Sequence, residues 1–148
     1  MRRAFRTGRR DAHLGVLSDL RPFAACSPAE LRAIARGSTS VVRGAGTVLV
    51  KQGTSVREFL VLASGTALAT RDGVPQLLLG AGDWFGDAEL LSKRSASSSL
   101  IALTDVDAVV MSSREFATLF DAVGPFRRRL VRRLAGRQPG LEAHAAPS

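Results

Sequence analysis

The stretch REFLVLASGTALATRDG, residues 57–73, contains the pattern that decides the fold. Two short runs rich in Val, Leu and Thr are each closed by a glycine, Gly65 and Gly73. The dipeptide Asp72-Gly73 supplies the two positive-φ residues that a tight hairpin turn needs. Eight short apolar runs, six of which contain Gly, extend from Ser38 to Ser112. They are TSVVRGAG, TVLVKQG, REFLVLASG, TALATRDG, VPQLLLGAG, WFGDAELL, SSSLIALTD and VDAVVMSS.

Helical patterns flank these runs on both sides. In SPAELRAIARG, Ser27 fits an N-cap, Glu30 the capping-box position and Gly37 the C-terminal stop. A second helix is expected after Ser112, with Glu115 in its first turn. The sequence therefore predicts a mainly β fold with flanking helices (α+β). This is an eight-stranded antiparallel β-roll or jelly roll with N-terminal and C-terminal helices.

The last predicted helix, in FRRRLVRRLAGR, combines a short apolar stripe with five arginines before Gly136 ends it. The stripe consists of Phe126, Leu130, Val131 and Leu134. It could cover the roll or form a homodimer interface, and both remain open. The pattern divides the chain into a disordered basic arm at 1–12, one domain at 13–137 and a disordered tail at 138–148.

Composition argues against several classes of protein. The single Cys26 cannot form an internal disulfide, which favours a cytoplasmic location. His13 and His144 lie near the ends, so a Cys–His catalytic site is not expected, and no cluster has metal-ligand spacing. No apolar run approaches the roughly 20 residues of a membrane span. We therefore expect no enzyme, no metal and no membrane span.

The net charge of +8 is concentrated in the Arg-rich ends of the chain. Such a bias favours anionic partners, although a solvated charged face with a flexible basic tail is the more common reason for a charge run. No helix-turn-helix pattern follows the last helix, so sequence-specific DNA binding is not expected. Nonspecific, salt-sensitive nucleic-acid binding through the basic ends remains open. The neighbouring aromatics Trp84 and Phe85 are expected to pack in the core rather than to contact a base.

Four motifs in order, AGTVLVKQG, LASGTA, GAGDWFGDAELL and RSAS, resemble the cyclic nucleotide-binding domain family. This is the fold of the catabolite activator protein and of the regulatory subunits of cAMP-dependent protein kinase. The resemblance covers roughly residues 14–137. The glycines that match the family's turn glycines are Gly46, Gly53, Gly65, Gly82 and Gly86.

The resemblance implies a ligand, cAMP or cGMP, and a phosphate-binding cassette in residues 86–97. In the family a short helix N-terminus and an Arg bind the cyclic phosphate, and a Glu binds the ribose. By position Asp87 matches that Glu and Arg94 matches that Arg. The residues expected to bind ligand are Gly86, Asp87, Ala88, Arg94, Ser95, Ala96 and Ser97.

The cassette also departs from the family pattern in three ways. Asp87 is one methylene shorter than Glu, and eight residues separate Gly86 from Arg94, a couple fewer than the family usually shows. Glu89 brings a carboxylate where the family often has a small residue. Two functions therefore remain open. One is a cyclic-nucleotide sensor that signals through helices 113–137 to an effector protein. The other is a degenerate domain that binds no nucleotide and acts in protein–protein interaction or dimerisation.

Overall fold

The computed structural model describes the backbone of residues 10–136 and the side chains of residues 14–136. The expected arm falls largely outside this range and the expected tail, 138–148, entirely so; helix α1 begins at Arg10. The helices are α1 (Arg10–Ser18), a short 3-10 helix (Arg21–Phe23), α2 (Pro28–Arg36), α3 (Asp87–Ser92), α4 (Ser113–Ala122) and α5 (Gly124–Ala135). The strands are β1 (Thr39–Arg43), β2 (Val48–Val50), β3 (Glu58–Ser64), β4 (Ala67–Arg71), β5 (Val74–Leu79), β6 (Trp84–Phe85), β7 (Ser99–Ala102) and β8 (Val106–Ser112).

The eight strands form two four-stranded sheets, which confirms the predicted β-roll. One sheet has the strand order β1-β8-β3-β6 and the other β2-β7-β4-β5, and every pair is antiparallel. The turn at Asp72-Gly73 has φ values of 53° and 80°, as the sequence predicts for a tight hairpin. It joins β4 and β5, where Arg71 pairs with Val74.

Strand β3 explains how the roll and the helices share one sheet. Alternate side chains of a strand point to opposite faces. Phe59 and Val61 therefore belong to the core beneath the helices, which we call the helix-side core. Leu60 and Leu62 belong to the core inside the roll. Because both faces are covered, β3 reads as an unbroken apolar run rather than as an alternating one.

Four phenylalanines connect the helices to this sheet. Phe59 contacts Phe116 and Phe126, with ring centroids 5.0 and 5.7 Å apart, and Phe126 also lies 5.4 Å from Phe23. All four rings are almost completely buried. Each buried aromatic side chain contributes several kcal/mol, so this cluster is the main attachment of α4 and α5 to the roll.

The helix caps follow the sequence closely. Ser27 and Glu30 form a complete capping box at α2, and Ser112 and Glu115 form another at α4. In both boxes the serine hydroxyl accepts from the glutamate N–H, and the glutamate carboxylate accepts from the serine N–H.

The predicted stripe of α5 is only partly correct. Phe126 and Leu130 are fully buried, but Val131 is 45% exposed. Since each residue turns a helix by 100°, Val131 lies about 140° around the axis from Phe126 and faces away from the roll. Within residues 10–136, no helix combines the length and apolar character needed to cross a bilayer.

Candidate ligand-binding cassette

The cassette, residues 86–97, begins at a position that requires glycine. Gly86 has φ +109°, which L side chains rarely adopt. A Cβ at this position would lie 2.6 Å from the carbonyl oxygen of Glu58 and 3.4 Å from the Cα of Phe59. The cassette therefore leaves β6 in close contact with the backbone of β3.

A single short helix and its return loop form the rest of the cassette. Helix α3 ends at Ser92, and Lys93 caps it with a φ of +56° that turns the chain; the N–H of Arg94 donates to the carbonyl of Glu89 at 2.9 Å. The N–H of Ala96 then donates to the carbonyl of Thr54 at 2.8 Å. This second bond attaches the end of the cassette to the loop between β2 and β3.

The first acidic residue of the cassette is engaged inside the protein. Asp87 is buried, and its Oδ2 accepts a hydrogen bond from the indole Nε1–H of Trp84 at 3.1 Å. The family resemblance matches Asp87 with a ribose-binding Glu. In the structure one oxygen of Asp87 is hydrogen-bonded to Trp84, a residue of the helix-side core. The spacing of the motif does not predict this partner.

Trp84 connects the cassette to the last helix. Its ring is 5% exposed, which confirms the expected packing role, and the guanidinium carbon of Arg133 lies 4.4 Å from the ring centroid. Phe85, the next residue, packs against the core inside the roll. The chain Asp87–Trp84–Arg133 therefore joins the cassette to α5.

The expected phosphate ligand Arg94 lies on the outer side of the cassette. It is exposed and lines a cavity of about 600 Å³ between the cassette and α4. Phe116, Ala117 and Phe120 of α4 form the opposite wall of this cavity. Glu89 also lines it, although its side chain is largely buried. We call this space the α4 groove.

The other expected site residues are contiguous but differ in exposure. Gly86, Ala88 and Ala96 are buried, whereas Ser95 and Ser97 are exposed. Ala96 stands two residues beyond Arg94, where the usual family interval would place the phosphate arginine. It is 3% exposed and carries no charge. Whether these residues bind a ligand stays a prediction.

Sequence reasoning missed one cation beside the cassette, Arg71. Alternation along β4 places it on the face of the buried residues Ala67 and Ala69, which point into the roll. Its Nε donates to the carbonyl of Ser97 at 3.1 Å. The signal lies in the alternation ALATR, which puts Arg71 on the same face of the strand as Ala67 and Ala69.

Neither metal nor thiol chemistry is evident in the described part of the chain. No group of three or more His, Cys, Asp or Glu side chains there could hold a metal ion. Burial, with a smaller effect from the nearby carboxylate of Glu30, raises the pKa of the Cys26 thiol from 9.0 to about 11. Such a thiol is almost entirely protonated near neutral pH and is a poor nucleophile.

Comparison with known proteins identifies the family of this architecture. The family described as "Cyclic nucleotide-binding domain" matches residues 40–122. A cAMP-dependent protein kinase regulatory subunit of Aspergillus niger is 30% identical over 116 residues, covering 77% of this chain and 27% of that protein. Its counterpart from Pyricularia oryzae is 33% identical over 86 residues, covering 57% of this chain and 22% of that protein. The chain thus spans about a quarter of the length of these relatives.

Solved structures share the fold at lower identity. The regulatory subunit of a cAMP-independent protein kinase A from Trypanosoma brucei matches with TM-score 0.78 and 21% identity, covering 96% of this chain and 52% of that one. A mutant of that subunit is described as bound to cAMP in the A site. It replaces a glutamate by alanine, a threonine seven positions later by arginine, and the next valine by alanine. The sensor domain of the regulator DNR from Pseudomonas aeruginosa matches with TM-score 0.72 and 19% identity, covering 86% and 94%.

Proposed function

Because the chain belongs to the cyclic nucleotide-binding domain family, we propose that it is a non-enzymatic regulatory domain that acts without cAMP or cGMP. In this proposal the roll and cassette are a scaffold, and the α4 groove and α5 present a surface to a protein effector. The location that fits a chain with one unpaired cysteine is the cytoplasm.

One observation carries the proposal: the only arginine of the cassette does not enter the roll. Arg94 is exposed and lines the α4 groove, and the position two residues later is the buried, neutral Ala96. An anion bound beneath the cassette would then lack the forked guanidinium donors that make phosphate binding strong. A cyclic phosphate does not fit this arrangement well.

The acidic residues of the cassette favour the same conclusion. Asp87 already accepts a hydrogen bond from Trp84, so ribose binding through the same oxygen would compete with an internal bond. Glu89 adds a largely buried carboxylate to the helix of the cassette. Two carboxylates close to a bound phosphate would raise the cost of binding through charge repulsion.

The trypanosomal subunit provides a parallel in sequence spacing. Its cAMP-bound mutant has a glutamate removed and an arginine introduced seven positions later. In this chain Ala96 stands seven positions after Glu89, and Ser97 follows. Matched by this spacing alone, the chain has a carboxylate at the first position and no arginine at the second, which supports a domain that does not depend on cAMP.

Signals would travel between the cassette and the C-terminal helices. Asp87, Trp84 and Arg133 form a continuous chain of contacts from α3 to α5. A protein that binds the α4 groove would contact α3 and α4 together. We expect this effector, or a second copy of the chain bound through α5, to read the position of these helices.

A second candidate, the cyclic-nucleotide sensor, is favoured by Arg71. This cation reaches the end of the cassette from β4, and its Nε–H donates to Ser97. Its remaining guanidinium donors could replace those of the missing cassette arginine. In that case cAMP or cGMP would bind through Arg71, and the same helices would transmit occupancy.

Isothermal titration calorimetry with cAMP and cGMP separates the two candidates. For the parent protein we expect no binding heat up to about 1 mM ligand. A triple variant, Glu89→Ala with Ala96→Arg and Ser97→Ala, should bind cAMP at least ten- to a hundredfold more tightly, because a charged hydrogen bond contributes about 1.5–3 kcal/mol. A variant with Glu89→Ala alone is the matched control.

Binding of cAMP by the parent with a Kd below about 100 μM would contradict the proposal. The substitution Arg71→Ala then tests the sensor candidate. Loss of that binding would establish Arg71 as the phosphate ligand, and unchanged binding would leave the cyclic-nucleotide site to other residues.

A further inference from the structure

Five arginines converge in a cleft between α5 and the 3-10 helix, and none of them lines the α4 groove. Two adjoining cavities, of about 270 and 100 Å³, open there. Arg21, Arg129 and Arg132 line both of them. Arg133 lines the larger one and Arg128 the smaller one. We call these five residues the arginine cleft.

The charge of the cleft is strongly unbalanced. Among the described residues that line the two cavities, Asp83 is the only acidic one, and it forms an ion pair with Arg21. Guanidinium groups held close together repel one another unless an anion lies between them. The cleft is therefore a surface on which a polyanion would lower the electrostatic energy.

The arginines of the cleft are presented by rigid supports. Phe126 and Leu130, fully buried in the helix-side core, fix α5 against the roll. Asp83 holds Arg21, and the ring of Trp84 lies beneath Arg133. Preorganised guanidinium groups lose less entropy when they bind, and their planar donors match phosphate oxygens.

We propose that the arginine cleft binds the phosphodiester backbone of nucleic acid without reading its sequence. Arg128 and Arg132, both exposed, lie one helical turn apart, about 6 Å along the axis, so neighbouring guanidinium groups can contact successive phosphates of one strand. Trp84 is too buried to stack on a base. The net charge of +8 adds long-range attraction for the same partner.

Filter binding of a mixed-sequence 20-base-pair DNA duplex between 50 and 200 mM salt tests this proposal. Four neutralised phosphates give a slope of about −3.6 in log K against log salt, so affinity should fall about 150-fold over this range. The double variant Arg129→Gln with Arg132→Gln removes two phosphate contacts. Between 50 and 200 mM salt its affinity for the duplex should therefore fall only roughly 10-fold.

The control variant is Arg43→Gln with Arg57→Gln, which removes the same charge from exposed positions on the roll. It should keep the parental slope. Equal losses in both double variants would mean that diffuse charge binds the DNA, which would overturn the proposal. Binding of poly-glutamate but not of DNA at 50 mM salt would overturn it in favour of an acidic protein partner. If circular dichroism shows that Arg129→Gln impairs folding, the double variant Arg128→Gln with Arg132→Gln, at two exposed positions, is measured instead.

Discussion

Replacing Gly86 by Ala tests whether the close contact between the cassette and β3 is as tight as described. The new Cβ would lie 2.6 Å from the carbonyl oxygen of Glu58, whereas real Cβ contacts stay above 3.0 Å, so the chain must move by at least about 0.4 Å. A non-glycine residue at φ +109° costs about 1–3 kcal/mol. Overpacking against the backbone adds about 1–3 kcal/mol. We expect the free energy of unfolding to fall by about 4 kcal/mol.

Gly46→Ala provides the matched control, because Gly46 has φ +91° but a Cβ added there would meet no heavy atom within 4 Å beyond its chain neighbours. Only the conformational cost of about 1–3 kcal/mol applies there. Urea denaturation followed by far-UV circular dichroism measures both losses, provided that the m-values agree. Equal destabilisation by the two substitutions would refute the contact with β3 as the cause.

Two further predictions concern the helix-side core and the buried thiol. Phe126→Ala should lower the free energy of unfolding by about 3–5 kcal/mol, since it removes three ring contacts within 6.0 Å, whereas Val131→Ala should change it by less than about 0.5 kcal/mol. Urea denaturation compares the two, and similar losses would contradict the assigned burial. At pH 8, Cys26 should react with iodoacetamide roughly 100-fold more slowly than a thiol of pKa 9.0, because a pKa of about 11 lowers its thiolate fraction by that factor. The rate should keep rising with pH up to about 11 and reach the ordinary value in guanidinium chloride; a plateau near pH 9 in the folded protein would show an ordinary pKa.

Local rules accounted for most of the architecture. The hairpin at Asp72-Gly73 and the two capping boxes depend on residues a few positions apart, so their chemistry is visible in the sequence. The roll follows from glycine-punctuated apolar runs and from the family resemblance. The run WFGDAELL illustrates the limit of this reasoning. It gives only a two-residue strand, because Gly86 turns the chain into α3.

The cassette was harder to predict because its geometry depends on contacts distant in sequence. The side of α3 on which Arg94 lies depends on the backbone contacts that attach Ser95 and Ala96 to the β2–β3 loop. The position of Arg71 beside Ser97 requires the pairing of β4 with β7. The exposure of Val131 depends on the rotation of α5 about its axis, which the packing of Phe126 fixes.

The junction at Trp84 has a practical consequence. The chain contains one tryptophan and no tyrosine, so its intrinsic fluorescence comes from a single indole that contacts both α3 and α5. A change at either end of that junction, from an occupant of the roll or from a partner on the final helix, would alter the same emission. The unlabelled protein thus offers an optical readout of coupling between its two candidate surfaces.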